Sequence, residues 1–464
     1  MANCTGHATP ISPNLMTSRH SPPSPWSYVI TLYLPFGILT GLMTGFPVGL
    51  FKLLAFPNET IGMLNGIGMV AAFRFLYAPW LDGAATKRGL SLLTLCVAGI
   101  AMLAISGIIW IQPGRDVFLW SMVAALLGLA IVSAAHETAA DGYYIRALDA
   151  KLQAQFIGIK TASIRIGGLS VIMVLLLGAT KIAALYGATG VDSPDKTGFH
   201  VGFAAAYAFA AAIMFGFFVW NKFMIPVIPE DQRVRHARNA FLEVTREYFQ
   251  QPAAFKLVFF ILLYRFGEGF LLAMRGPFIL DPVAKGGLGA EASAVAYYAI
   301  LTDMPWMILG GVLGGYIIKW FGLRRTIVPL ALLMSLPNLL YVLMAWFQPM
   351  AHISLLGENL NIALLIVESI CSLSYGLSFS AMFYYMHIMA TESGRNKTSI
   401  LAISFAFMNI GFFLPAMMSG FVQSAIGYTG VFVLSVALGL LVLLVIPLLP
   451  MPQAEQKSMP GEGK

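Results

Sequence analysis

Ser133-Ala-Ala-His136-Glu137-Thr-Ala-Ala-Asp141-Gly-Tyr143-Tyr144 closes an apolar run that begins near Val117. The run is long enough to cross a bilayer as a helix. Helical spacing puts Glu137, Asp141 and Tyr144 at i, i+4 and i+7, on one face. His136 lies about one residue's rotation off that stripe. Ionisable groups at membrane depth are costly, so they turn toward a bundle interior or a watery cavity. The stretch therefore reads as part of a solute or proton path. The plainer alternative is a charge cluster that pins helix ends at the membrane surface.

Composition supports the membrane reading. Of 464 residues, 58% are hydrophobic and only 11% are charged, and the mean hydropathy is +0.78. A soluble globular chain carries about 25% charged residues. The net charge of +7 does not imply nucleic acid, because the basic residues fall between apolar runs. Cys4, Cys96 and Cys371 are odd in number and far apart, which argues against a disulfide framework and a metal site. No glycine loop precedes a basic residue as a phosphate cradle, and no nucleophile has an evident base. The chain is not expected to be an enzyme or to hold a cofactor.

Outward from the 117–140 span, the pattern predicts an all-α membrane protein of twelve transmembrane helices in two six-helix bundles. Residues 1–27 read as a disordered tail and not a signal peptide, 28–225 as the first bundle and 226–252 as a cytoplasmic linker. Residues 253–450 read as the second bundle and 451–464 as a second tail. In the first span, Gly37, Gly41, Gly45 and Gly49 form a small-residue stripe suited to close helix approach, with bends expected at Pro35 and Pro47. Lys87/Arg88, Arg146/Lys151, Arg233–Arg238, Lys319/Arg324/Arg325 and Arg395/Lys397 fall on one side, so both termini are expected in the cytoplasm. Asp82…Lys87-Arg88-Gly89 and Gly314…Lys319…Arg324-Arg325 occupy corresponding places in the two halves. Two such halves imply a transporter with its site at their interface.

The charges within the spans sort by depth. Arg74, Glu137, Asp141 and Arg165 fall in the cytoplasmic third and are expected to form a buried network or an inner gate. Arg265, Glu268, Asp303 and Glu368 fall nearer mid-membrane. Arg265 and Glu268 can pair at i, i+3, and three carboxylates against one arginine leave surplus negative charge, the requirement for carrying a proton. Arg275 is expected to snorkel to the outer end, and His136 could equally be a packing residue. Asp82, Arg88 and Arg324 complete the candidate charge network at the helix ends.

Two motifs resemble a known family. Phe73-Arg74-Phe75-Leu76-Tyr77-Ala78-Pro79-Trp80-Leu81-Asp82 and His136-Glu137-x-x-x-Asp141-Gly142-Tyr143 resemble the ends of helices two and four in the peptide–acetyl-coenzyme A–drug transporter family of the major facilitator superfamily. This chain departs from the second motif, with His136, Glu137 and Tyr143 where the family has Gln, Asp and Trp. Carboxylates remain at both acidic positions. The resemblance implies a monomeric inner-membrane permease driven by the proton motive force, importing a small muropeptide or amino-sugar-like solute. Acetyl-coenzyme A or siderophore transport is the alternative within the family, and a membrane sensor or scaffold is the alternative outside transport.

Overall fold

The computed structural model describes residues 24–73, 85–229, 231, 245–246, 248–250, 254–392 and 397–450. Ten helices among the described residues are long and apolar enough to cross a membrane. They begin with Pro25–Leu53 and end with Ile400–Leu448. The last contains two arms that bend at Gly427, where φ is +71° and ψ 178°. Only glycine takes that conformation without strain. The twelve-helix expectation counts those arms separately and adds the 61–81 span. That span is represented by Asn58–Asn65 and Met69–Ala72 and then runs into residues 74–84, outside the described residues. Arg74 and Asp82 are therefore not placed, and neither is most of the 226–252 linker.

Helix boundaries follow local chemistry. Thr86 caps Lys87–Ile111 by accepting the Gly89 amide at 3.1 Å, and Asp149 caps Ala150–Ser170 by accepting that of Leu152 at 2.8 Å. The helix expected over 117–140 is longer, Arg115–Ala147. The first span breaks at Thr44, between Val29–Met43 and Gly45–Leu53. Pro47 explains the position, since its nitrogen cannot donate to the carbonyl four residues back. Pro35 is carried inside the first piece. A turn at Pro25–Ser27 leads into it.

Small residues set the closest approaches. A Cβ on Gly37 would lie 2.0 Å from the Ile164 carbonyl oxygen, so the first and fifth spans meet backbone to backbone. Of the four-glycine stripe, Gly37 makes this contact and Gly41 faces the Val171 side chain, whereas Gly45 faces open space. The halves meet just as closely, since a Cβ on Gly420 would lie 1.8 Å from the Asn58 carbonyl oxygen.

Two wide π-type turns interrupt otherwise α-helical spans, at Val171–Leu176 and at Ala299–Asp303. They lie against each other across the two halves. One loop folds into an antiparallel hairpin, His352–Leu355 paired with Glu358–Asn361. We call this end of the molecule the hairpin face and the opposite end the linker face. Trp110, Trp120 and Trp346 stand exposed near the hairpin face, and Phe223, Phe255 and Trp320 near the linker face. Aromatic rings at two levels, with Trp at each, match the two interfaces of a bilayer.

Candidate functional site

Three spans of the second half converge on one guanidinium. Arg275 lies two turns after Glu268 in Ala254–Leu280, Asp303 closes the wide turn Ala299–Asp303, and Glu368 lies in Ile362–Glu392. Arg275 Nη2 is 2.6 Å from Asp303 Oδ2, and Nη1 is 3.0 Å from both Asp303 Oδ1 and Glu368 Oε2. The Ser372 hydroxyl donates to Asp303 Oδ1 at 3.0 Å. The Glu368 side chain is 1% exposed, against 18% for Arg275 and 22% for Asp303. The Tyr341 phenol lies against Glu368, and Glu368 Oε1 is buried without a hydrogen bond of good geometry among the described residues. A buried carboxylate oxygen without a donor is costly. Two carboxylates facing one guanidinium leave one negative charge over, and a single proton would balance the set. Arg275 does not reach for the membrane surface as expected; the two acids hold it inward.

Arg265 and Glu268 pair with each other, as their i, i+3 spacing requires, at 2.7 and 3.0 Å. The Arg265 guanidinium also lies over the Phe412 and Phe379 rings, 4.4 and 5.0 Å from their centroids. Arg165, from the first half, feels both Arg265 and Glu268 and is exposed. The mid-membrane acids thus divide into two clusters, and Arg165 belongs with the Arg265–Glu268 pair and not with the Glu137–Asp141 stretch.

In the first half, Asp141 Oδ1 accepts from Lys160 Nζ at 2.6 Å and from the Tyr33 hydroxyl at 2.9 Å. The Lys160 ammonium sits 4.8 Å from the Tyr33 ring centroid and 5.5 Å from that of Tyr144. Glu137 is half-buried and acts electrostatically on Tyr33. The Glu137–Asp141–Tyr144 face is therefore a real cluster, completed by Tyr33 and Lys160. His136 stands apart from it. Its ring is fully buried, with Nε2 donating to the Leu32 carbonyl at 3.0 Å and Nδ1 2.9 Å from the Thr94 hydroxyl. The rotation of about 100° per residue turns His136 into a helix–helix seam.

The charges at helix ends do structural work. Arg88 donates to the Ile225 and Lys222 carbonyls at 2.8 and 2.7 Å. Asp231 accepts the backbone amides of Lys87 and Arg88 at 2.7 and 2.8 Å and pairs with Arg146 at 3.2 Å. Arg324 is exposed at the start of Leu323–Ser335. Sequence reasoning did not single out Lys160, Asp231 or the partnership of Arg275. For Arg275 a signal existed: it shares the face of Glu268 at i+7, and two acids, Asp303 and Glu368, lacked cations.

Comparison with known proteins agrees with this architecture. No family profile matches the chain. It is 22% identical over 417 residues to transporter AmpG 2 of Rickettsia prowazekii, covering 86% of this chain and 92% of that one. It is 23% identical over 399 residues to the anhydromuropeptide permease of Escherichia coli K12, covering 83% and 72%. Among solved structures, a D-xylose–proton symporter aligns with TM-score 0.65 at 15% identity, covering 92% of this chain and 97% of that one. A nucleoside transporter NupG aligns with TM-score 0.65 at 14% identity, covering 92% and 99%. By this fold and these relatives, the chain is a multi-pass membrane protein with the fold of the major facilitator transporters, similar to the AmpG permeases over most of its length.

Proposed function

We propose that this protein imports a small muropeptide or amino-sugar-like solute across the bacterial inner membrane by proton-coupled alternating access. The Arg275–Asp303–Glu368 cluster is the observation that carries the reading, because two carboxylates face one guanidinium and a buried Glu368 oxygen lacks a well-placed donor among the described residues. A proton on that set removes the excess charge; its loss restores the attraction to Arg275. Coupling follows if the two charge states favour different arrangements of the halves. Arg165 and Arg265 at the seam, with Lys160 and its tyrosines, offer cations and rings to an anionic sugar derivative. The names of the AmpG relatives support the solute class.

The basic loop residues put the linker face and both termini in the cytoplasm. The hairpin face is then the outer one. The chain acts as a monomer, with the proton motive force as its energy source and no cofactor.

The test uses proteoliposomes with a proton gradient. Uptake of an anhydro-muropeptide rises when the outside is acidified and collapses with a protonophore. Glu368→Gln keeps solute exchange but loses the response to the gradient. Uptake indifferent to a protonophore would refute the coupling, and uptake of acetyl-coenzyme A or ferric siderophores in place of the muropeptide would refute the solute class.

A further inference from the structure

The hairpin face holds a groove of about 540 Å³ whose lining includes Lys52, Arg115, Lys285 and Asp281. Three cations face one carboxylate. Arg115 and Lys285 belong to no ion pair among the described residues; Arg115 instead donates to the Ala55 carbonyl at 2.9 Å and covers the Phe56 ring. Lys52 forms the floor of the groove and is buried. Its Nζ is 2.5 Å from Asp281 Oδ1 and 2.8 Å from Asn58 Oδ1.

These bonds join the two halves. Lys52 ends the first span of one half, and Asp281 follows the first span of the other. Asn58 Nδ2 donates to Gln423 Oε1 at 2.7 Å and to the Tyr428 hydroxyl oxygen at 2.9 Å. The Tyr428 hydroxyl in turn donates to Asp281. One buried carboxylate thus holds a lysine from the opposite half at the bottom of a cationic groove.

We propose that this groove receives a carboxylate-bearing solute, and that the solute's carboxylate takes the place of Asp281 on Lys52 and so unfastens the halves at this face. Breaking a buried ion pair outright is expensive because it strands a charge. Exchanging one carboxylate for another on the same ammonium strands nothing at Lys52, while Asp281 keeps the Tyr428 hydroxyl. Arg115 and Lys285 attract the anion to the groove before the exchange. The solute can open the face only because it binds the open arrangement better than the closed one. This inference rests on the import reading above, with the hairpin face outside.

The test places spin labels at Tyr186→Cys and Met350→Cys, exposed positions on the hairpin face in opposite halves, after replacing the native cysteines. Distances are measured in proteoliposomes with N-acetylmuramate, which carries a carboxylate, and with N-acetylglucosamine, which does not. N-acetylmuramate should lengthen the distance at about one tenth of the concentration, equivalent to about 1.4 kcal/mol. Asp281→Asn should lengthen it with no sugar present. Lys52→Met should abolish the preference for the carboxylate. Equal response to the two sugars, or preference retained in Lys52→Met, overturns the proposal. N-acetylmuramate opening the face without crossing the membrane would uphold the reception site and refute the import reading. Its crossing with no preference in the opening would do the reverse.

Discussion

Arg275→Met tests the charged centre most directly. The substitution keeps much of the side-chain volume and removes three charge-assisted bonds, two to Asp303 and one to Glu368. Asp303 is partly exposed and has Ser372, so water and a hydroxyl can take up some of the loss. Glu368 is sealed from water at 1% exposure, with only the Tyr341 phenol beside it in place of the guanidinium. Removing one partner of a buried ion pair costs about 3–5 kcal/mol. For a folding unit of about 150–250 residues each kcal/mol moves the midpoint by about 2–4 °C, so the transition should fall by about 6–20 °C. Adding Glu368→Gln removes the stranded charge and should recover at least half of the loss. Thermal unfolding in detergent, followed by tryptophan fluorescence, reads both variants. An Arg275→Met midpoint within 2 °C of the parent (about 1 kcal/mol), or a double variant less stable than the single one, would refute the ion-pair account.

The N-terminal cluster, the halves' contact and the helix-end cap make further predictions. Glu137→Ala and Asp141→Ala should each abolish uptake while the protein stays folded in the membrane; undiminished uptake by either would remove that cluster from the path. Gly420→Ala sets a methyl group 1.8 Å from the Asn58 carbonyl oxygen; it should hold the hairpin face open, raising the labelling of a cysteine at the buried Thr60 by a membrane-impermeant thiol reagent, at a cost of about 1–3 kcal/mol. Asp231→Ala strips the cap from the Lys87 and Arg88 amides and removes the ion pair with Arg146, so hydrogen exchange at the start of that helix should accelerate by the equivalent of about 1–2 kcal/mol.

The spans were legible because lipid imposes one rule on every stretch of about 20 residues: stay apolar and satisfy the backbone internally. The acidic positions were legible for the complementary reason, since an acid in an apolar run is conspicuous. Their partners were not. Arg275 meets Glu368 across 93 positions, and Tyr33 meets Asp141 across 108. Nothing in local periodicity encodes such distances. The Arg265–Glu268 pair could be read because it is local, at i, i+3. His136 shows the finer limit. It adjoins Glu137 in sequence, yet one residue of helix rotation separates the carboxylate face from a packed seam. The bonds between Lys52, Asn58, Asp281 and Tyr428 depend on how two bundles dock, which neither bundle's own pattern records.

The wide turn at Ala299–Asp303 gives one span two phases. Ahead of it, Ser293 donates to Glu358 and the Tyr298 hydroxyl accepts the Asn361 amide, so that segment is moored to the hairpin. Beyond it, Gly310 abuts the Leu373 carbonyl, packed backbone to backbone on its neighbouring helix. An inserted residue offsets the two stretches by about 100° and leaves the intervening ladder loosely spaced. Such a joint can absorb torque: the moored end can swivel while the far seam keeps its register. Asp303 is the last residue of that joint, so a twist arriving from the hairpin reaches the Arg275 guanidinium before it reaches any other charged group of the centre.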